Sequence, residues 1–318
     1  MVTRETWKKG ILSGLKTTWV LGKVIFPITF IVTILNFTPV IHWVVQIFYP
    51  LMKWVGLPGE AAIPLVLGYL LNLYAAIGAI LSLHLTVKHV FILAVMLSFA
   101  HNLLVETAVA KKIGVHTMVP IGIRLGLSFL AALLIHLFWN GGSTTAQYGM
   151  VANAVRNPDT WTGIVLFAAE KAVLGIWQIV IIVFPLMLGI QILKDLRAIE
   201  YISKWLEPLT RVLGLSTGKT SVPLLAGLIF GLAYGAGVII QSAKEENFSK
   251  RDLYLLTVFL VASHAVIEDT LLFIPLGINV LYLLLIRVSV AFFITILTAK
   301  VWQRVIIRTD FVMKGEAK

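Results

Sequence analysis

The strongest constraint on this chain is a series of apolar runs, each near the ~20 residues that cross the hydrocarbon of a bilayer, separated by short polar stretches. They fall at about 17–37, 62–83, 88–110, 117–139, 163–193, 221–243, 253–275 and 278–299. A soluble fold cannot hide them. Of the 318 residues 59% are hydrophobic and 13% charged, with a mean hydropathy of +0.94, against roughly 45–50% apolar and about 25% charged in soluble domains. One core of this size has too little volume for so much apolar side chain. The chain therefore reads as an all-α polytopic membrane protein with eight membrane segments. Two further stretches, 39–56 and 195–214, are shorter and amphipathic and are expected to lie along the interface.

Lysine and arginine total 26 against 15 acids, a net charge of +11. In a soluble chain that balance would suggest nucleic acid. In a multi-spanning chain, basic residues in short loops mark the cytoplasmic side, so the expected partner is the lipid bilayer and not nucleic acid. Cysteine is absent, which removes disulfides, thiolate metal centres and thiol nucleophiles together. The opening MVTRETWKKGILSGLKTTW has no small-residue cleavage site, and Trp7, Ile11, Leu15 and Trp19 recur every four residues beside Arg4, Lys8, Lys9 and Lys16. This predicts a helix that starts at the cytoplasmic interface and enters the bilayer, not a removable signal.

The second half of the chain repeats the first. Pro27 and Pro185 end matching apolar runs, YPLMKWVGL matches EPLTRVLGL, and Pro64, Gly68 and Gly78 match Pro223, Gly227 and Gly237. Further on, SFAHNLLVET matches VASHAVIEDT, pairing His101 with His264, Glu106 with Asp269 and Thr107 with Thr270, and Arg124 matches Arg287. The expected division is repeat 1 over 1–140, a linker over 141–160 and repeat 2 over 161–318. If all eight segments cross, the repeats are parallel and 14 basic loop residues lie inside against 8 outside. If the third and seventh segments turn back within the membrane, the repeats are inverted and the count is 17 against 5. The sharper bias, and the recurrence of inverted repeats with broken helices among transporters, favour inversion.

Ionisable side chains at membrane depth need partners, a cavity or a function. The candidates are His101, Asn102, Glu106 and Thr107 in one half and His264, Glu268, Asp269 and Thr270 in the other. In a regular helix His264 and Glu268 share a face, whereas His101 and Glu106 lie about 140° apart and can address one ligand only if the helix breaks between them. Arg124 and Arg287 are natural counter-charges for Glu106 and Asp269. They could clamp two segments together, touch a substrate, or snorkel to the interface. The histidines suit a ligand site or proton relay, or simple core hydrogen bonding. A metal is neither required nor excluded by this weak His/carboxylate spacing. The second segment of each repeat carries small or polar residues every four positions, Gly68, Asn72 and Ala76, then Gly227, Gly231 and Gly235. That spacing reads as close helix packing, or else Asn72, Tyr74, Tyr234 and Gln241 line a path. Lys23, Glu170 and Lys171 are given no role. GLSTGKT at 214–220 lacks the first glycine of a phosphate loop.

GLPGEAAIPLVLGYLLNLYAAI at 56–77, followed by LSFAHNLLVETAV at 97–109, resembles the gate module shared by the ferrous-iron transport protein B family, spore-maturation membrane proteins and related nucleoside-recognition proteins. Two such modules cover most of the chain, in an arrangement most similar to the paired spore-maturation type fused into one polypeptide. The iron transporters of the family carry a cysteine before the asparagine matching Asn72, another in the next segment, and a following proline. Here those places hold Leu71, Phe99 and Tyr74, and no GTPase domain is present. The resemblance implies a helical, transporter-like protein of a bacterial inner membrane, multi-pass with a cytoplasmic N-terminus.

The first functional expectation is a transporter with a solute or ion site between the two gate repeats, possible proton coupling and no cofactor. The alternative is a non-transporting scaffold or a subunit of a larger membrane complex. A homo-oligomer or membrane partner fits either. An enzyme is not expected, since no HExxH, Ser/His/Asp set or thiol nucleophile is present.

Overall fold

The computed structural model describes the backbone of residues 2–151, 158, 160–196, 198–216, 219–246 and 248–315, with side chains described except at 151, 199, 200, 233, 234, 244 and 305–315. Much of the expected linker, residues 152–157 and 159, lies outside the described residues. The described structure is helical: α1 (Arg4–Leu35), α2 (Pro39–Trp54), α3 (Ala62–Leu70), α4 (Leu73–Ile80), α5 (Val87–Ala100), α6 (Leu103–Lys112), α7 (Met118–Phe138), α8 (Trp161–Asp195), α9 (Ala198–Trp205), α10 (Glu207–Val212), α11 (Ser221–Glu245), α12 (Lys250–Ser263), α13 (Val266–Leu272) and α14 (Val280–Gly315). They group into two units. Unit 1 comprises Met1–Leu104, Arg124–Arg197 and Ile267–Leu284; unit 2 comprises Val105–Ile123, Ala198–Val266 and Leu285–Lys318. Each unit thus draws on both halves of the sequence.

Among the described residues six helices, not eight, are long and apolar enough to cross a membrane: Arg4–Leu35, Val87–Lys112, Met118–Phe138, Trp161–Asp195, Lys250–Leu272 and Val280–Arg304. A seventh would be the pair Pro39–Trp54 and Gly59–Leu70, bent by 88°. The segments expected at 62–83 and 221–243 are helical hairpins. In unit 1 the chain turns at Leu71–Asn72, and a Cβ on Gly68 would lie 3.0 Å from the Cβ of Ala76, which a straight helix would hold about 12 Å away. In unit 2 the turn is at Gly231, whose backbone (φ 76°, ψ 172°) is open only to glycine. A straight α11 would span about 37 Å, yet the residues flanking it, Lys219 and Glu246, form an ion pair at 3.8 Å.

This corrects two expectations. The third and seventh segments do not turn back; Val87–Lys112 and Lys250–Leu272 each continue across a local break as one span. The second and sixth segments turn back instead. The four-residue spacing of small residues is indeed a packing device, but it packs the two arms of one hairpin: Gly68 against Ala76, and Gly235 against Ala226 and Gly227. Asn72 makes the first turn by capping α4, its Oδ1 accepting from the Ala75 N–H at 3.0 Å.

In unit 1 the long helices α1 and α8 run antiparallel. Gly10 faces Leu188, Gly14 faces Phe184 and Gly22 faces Ile176, so each step of four along one helix meets a step of four back along the other. The glycines admit this approach: a Cβ on Gly14 would sit 2.7 Å from the Phe184 ring. Pro27 and Pro185, expected to end their runs, lie inside these helices, as lipid-embedded helices tolerate.

Candidate functional site

The two spans that carry the histidines are the most enclosed. The most apolar stretches of Val87–Lys112 and Lys250–Leu272 are mostly buried, whereas those of Met118–Phe138, Trp161–Asp195 and Val280–Arg304 are mostly not. The latter present apolar faces for lipid; the former are wrapped in protein, which is where irregular backbone is tolerated at membrane depth.

Both enclosed spans break at a histidine. His101 ends α5 with extended backbone (φ −67°, ψ 158°), and Asn102 follows at φ 51°. His264 ends α12 in the same way (φ −65°, ψ 158°), and Ala265 follows at φ 44°. Asparagine tolerates this left-handed conformation; alanine pays about 1–2 kcal/mol. The break frees an N–H, and the neighbouring hairpin takes it: Asn102 N donates to the Gly68 carbonyl at 2.8 Å in unit 1, and Ala265 N to the Gly227 carbonyl at 3.0 Å in unit 2.

The break also leaves carbonyls at a helix end without helical partners. Arg124, fully buried, donates to the carbonyls of Phe99 (2.8 Å) and His101. Arg287, also fully buried, donates to the His264 carbonyl at 2.8 Å. Complete burial rules out the snorkelling considered for these arginines. A positive charge at a helix C-terminus complements its dipole, so each guanidinium holds a broken end in place, a role their sequence spacing did not suggest.

Each histidine ring is anchored through Nδ1 and turns Nε2 toward an acid. Nδ1 of His101 lies 2.7 Å from the Leu97 carbonyl and Nδ1 of His264 lies 2.9 Å from the Leu260 carbonyl. A carbonyl only accepts, so Nδ1 carries the proton and Nε2 faces the site. In unit 2, His264 Nε2 stands 3.0 Å from Glu106 Oε1; at that distance a proton must lie between them, on one or the other. In unit 1, His101 Nε2 and Asp269 Oδ2 are 3.8 Å apart. That is too long for a hydrogen bond, but it suits two donors each about 2.0–2.2 Å from a shared cation. In both cases the histidine of one sequence half meets the acid of the other.

The remaining candidates divide. The expected shared face of His264 and Glu268 does not form, because α12 ends at Ser263; Glu268 Oε1 instead accepts from the Tyr74 hydroxyl at 2.5 Å. This contact was not foreseen, and no local spacing links residues 194 apart. Thr107 and Thr270 are buried, 7% and 5% exposed, and their hydroxyls make no hydrogen bond among the described residues. A buried unsatisfied hydroxyl costs about 1–3 kcal/mol, which a bound solute or water would remove. Asn72 is a cap. Gln241 is exposed and donates to Glu245 Oε1 at 2.8 Å, and the Tyr234 side chain lies outside those described.

The profile of the Gate family, described as nucleoside recognition, matches residues 18–154 and 176–278, taking in both hairpins and both breaks. The chain belongs to the Gate family. The resemblance read from GLPG, IPL and SFAHNLLVET is thereby borne out. A relative within reach is the uncharacterized membrane protein YvoD of Bacillus subtilis (strain 168), 52% identical over 301 residues, covering 95% of this chain and 96% of the relative. No solved structure matches. Gate-family membership and six apolar spans make this a multi-pass membrane protein.

Proposed function

We propose that this Gate-family protein transports a small solute or cation, coupled to protons, with the histidines and carboxylates of its two helix breaks as the binding groups. In each unit a hairpin turn is bonded to the break of an enclosed span, and the break presents a histidine to a carboxylate. The observation that carries the reading is this duplication of a costly arrangement. Two membrane-depth helix breaks, each with a buried arginine, a buried histidine and a buried acid, serve no purpose in a chain that only spans.

Inverted repeats fit the same reading. Three spans per half give the halves opposite orientations, and α1 and α8, their first helices, run antiparallel within unit 1. With hairpins in the second and sixth places and the N-terminus inside, 19 basic residues outside the membrane segments fall inside and 3 fall outside. That bias exceeds the one that motivated the sequence-based topology. Inverted repeats in a bacterial inner membrane are a plan suited to alternating access.

The test is a thermal-shift screen of purified protein against divalent cations, nucleosides and small carboxylates, followed by flux in proteoliposomes under an imposed pH gradient. A ligand stabilises the folded state according to its occupancy. The expected result is a shift with one class, lost in Glu106→Gln and Asp269→Asn, with flux lost while both variants still fold. Unaltered flux in both variants overturns the site. Folded protein without shift or flux favours a scaffold, in which the buried arginines and acids only lock helices.

A further inference from the structure

Lys171 sits about 15 Å along α8, well inside the span Trp161–Asp195, and is 4% exposed. A buried cation in a spanning helix calls for a partner or a function. No acid of its own helix face supplies the partner: the residues three and four places before and after it are Phe167, Ala168, Leu174 and Gly175. Glu170, next to it in the chain, is exposed and lies about 100° away around the helix. Among the described residues the Lys171 ammonium makes no hydrogen bond and no ion pair, and it stands 5.0 Å from the centroid of the Phe167 ring. A ring face offsets only part of the cost of taking an ammonium out of water. The position matching Lys171 in the first half, at the offset that relates Pro27 to Pro185, is Ser13, so the repeated plan does not call for a cation here.

The surroundings, all within unit 1, are apolar on one side and offer a donor on the other. Phe37, just beyond α1, meets Phe167 edge to face with ring centroids 6.2 Å apart. One turn further along α8, a Cβ on Gly175 would stand 3.0 Å from Leu81, just beyond α4. His84 follows on that segment, exposed, and close enough to feel the lysine. Partial burial and then the Lys171 charge hold its imidazole below the ordinary range, so near pH 7 it is a neutral ring with one N–H to give. The balance is one full positive charge, one further donor and a floor of two aromatic rings.

We propose that Lys171 anchors a binding site for a small monocarboxylate, whose carboxylate meets the ammonium and whose apolar body lies against the Phe167 and Phe37 rings. Charge sets the class. One carboxylate neutralises one lysine, whereas phosphate or a dicarboxylate would bring a second negative charge into the interior with no cation to meet it. The donor sets the shape: an ammonium is a point charge and lacks the arginine fork that selects bidentate anions. The site shares no residue with the two helix breaks, so it stands whether or not the breaks carry flux.

The experiment is a thermal-shift titration of the purified full chain with sodium propionate, against sodium chloride and sodium phosphate at equal ionic strength. The expected result is a saturable rise in the midpoint with propionate alone, lost in Lys171→Met. The rise should persist in Glu106→Gln and Asp269→Asn, which tells this site apart from the breaks. Without propionate Lys171→Met should melt at or above wild type, because it keeps an apolar stem and removes an unmatched buried charge. No rise in wild type, an equal rise with all three salts, a rise that survives Lys171→Met, or a variant that melts well below wild type without propionate overturns the proposal. Should the variant fail to fold, acetylation of wild type by acetic anhydride, read by peptide mass, probes the same lysine. Propionate should slow modification of Lys171 relative to exposed Lys53, and an unchanged ratio overturns the proposal.

Discussion

At the second break His264 Nε2 lies 3.0 Å from Glu106, while at the first the same nitrogen of His101 lies 3.8 Å from Asp269. Around these pairs the geometry is otherwise alike: extended histidine, positive φ at the next residue, an N–H given to a hairpin glycine carbonyl, and a buried arginine on the broken end. The hairpin turns differ too, one made by an N-capping asparagine and the other by a glycine at φ 76°. The comparison teaches that the backbone plan is the part held in common, reached by different local chemistry. The spacing of acid and imidazole is where the halves part, 3.0 Å in one pair and 3.8 Å in the other.

The largest expected effect tests what is common. Arg124→Leu and Arg287→Leu each strip charge-assisted hydrogen bonds from buried carbonyls, at about 1.5–3 kcal/mol per bond, and both variants should lose most folded protein in gel filtration. Lysine should not restore Arg124, because it lacks the planar fork that spans the Phe99 and His101 carbonyls. The hairpin turns come next. Gly231→Ala forces a side chain into a glycine-only backbone and should cost about 1–3 kcal/mol, while Asn72→Ala loses one cap and should cost about 1 kcal/mol; thermal midpoints in lipid-like detergent order the two. A reversed order would show that the first turn carries more than its cap. His264→Gln should then destabilise by about 1 kcal/mol more than His101→Gln, because only His264 stands at bonding distance from its acid. The smallest effect is a gain. Ala265→Gly should stabilise by up to about 1 kcal/mol by relieving a positive φ, and Asn102→Gly should change little.

Much of this architecture was legible before any coordinates. Apolar runs near twenty residues announced the spans, and the pairing of His101 with His264 and of Glu106 with Asp269 marked the enclosed helices as the polar ones. The place where the chain folds back was not legible. Residues 62–83 carry no charged side chain, and the small or polar residues at 68, 72 and 76 give the same pattern whether they meet another helix or the returning arm of their own. Asn72 held the missing signal, a residue that favours helix N-caps set inside an apolar run. The partners of the acids were beyond reach for a different reason: Glu106 meets His264, and Glu268 meets Tyr74, across separations that no periodicity reports.

The proposed function rests on repeats of inverted topology that each carry the same broken span. The chain has no cysteine, so Lys53→Cys, before the first hairpin, and Lys219→Cys, before the second, can each be treated with a membrane-impermeant maleimide in intact cells and again after permeabilisation. The account predicts labelling at position 53 in intact cells and at position 219 only once the membrane is opened. Equal labelling of both from one side would place both hairpins on the same face and contradict it.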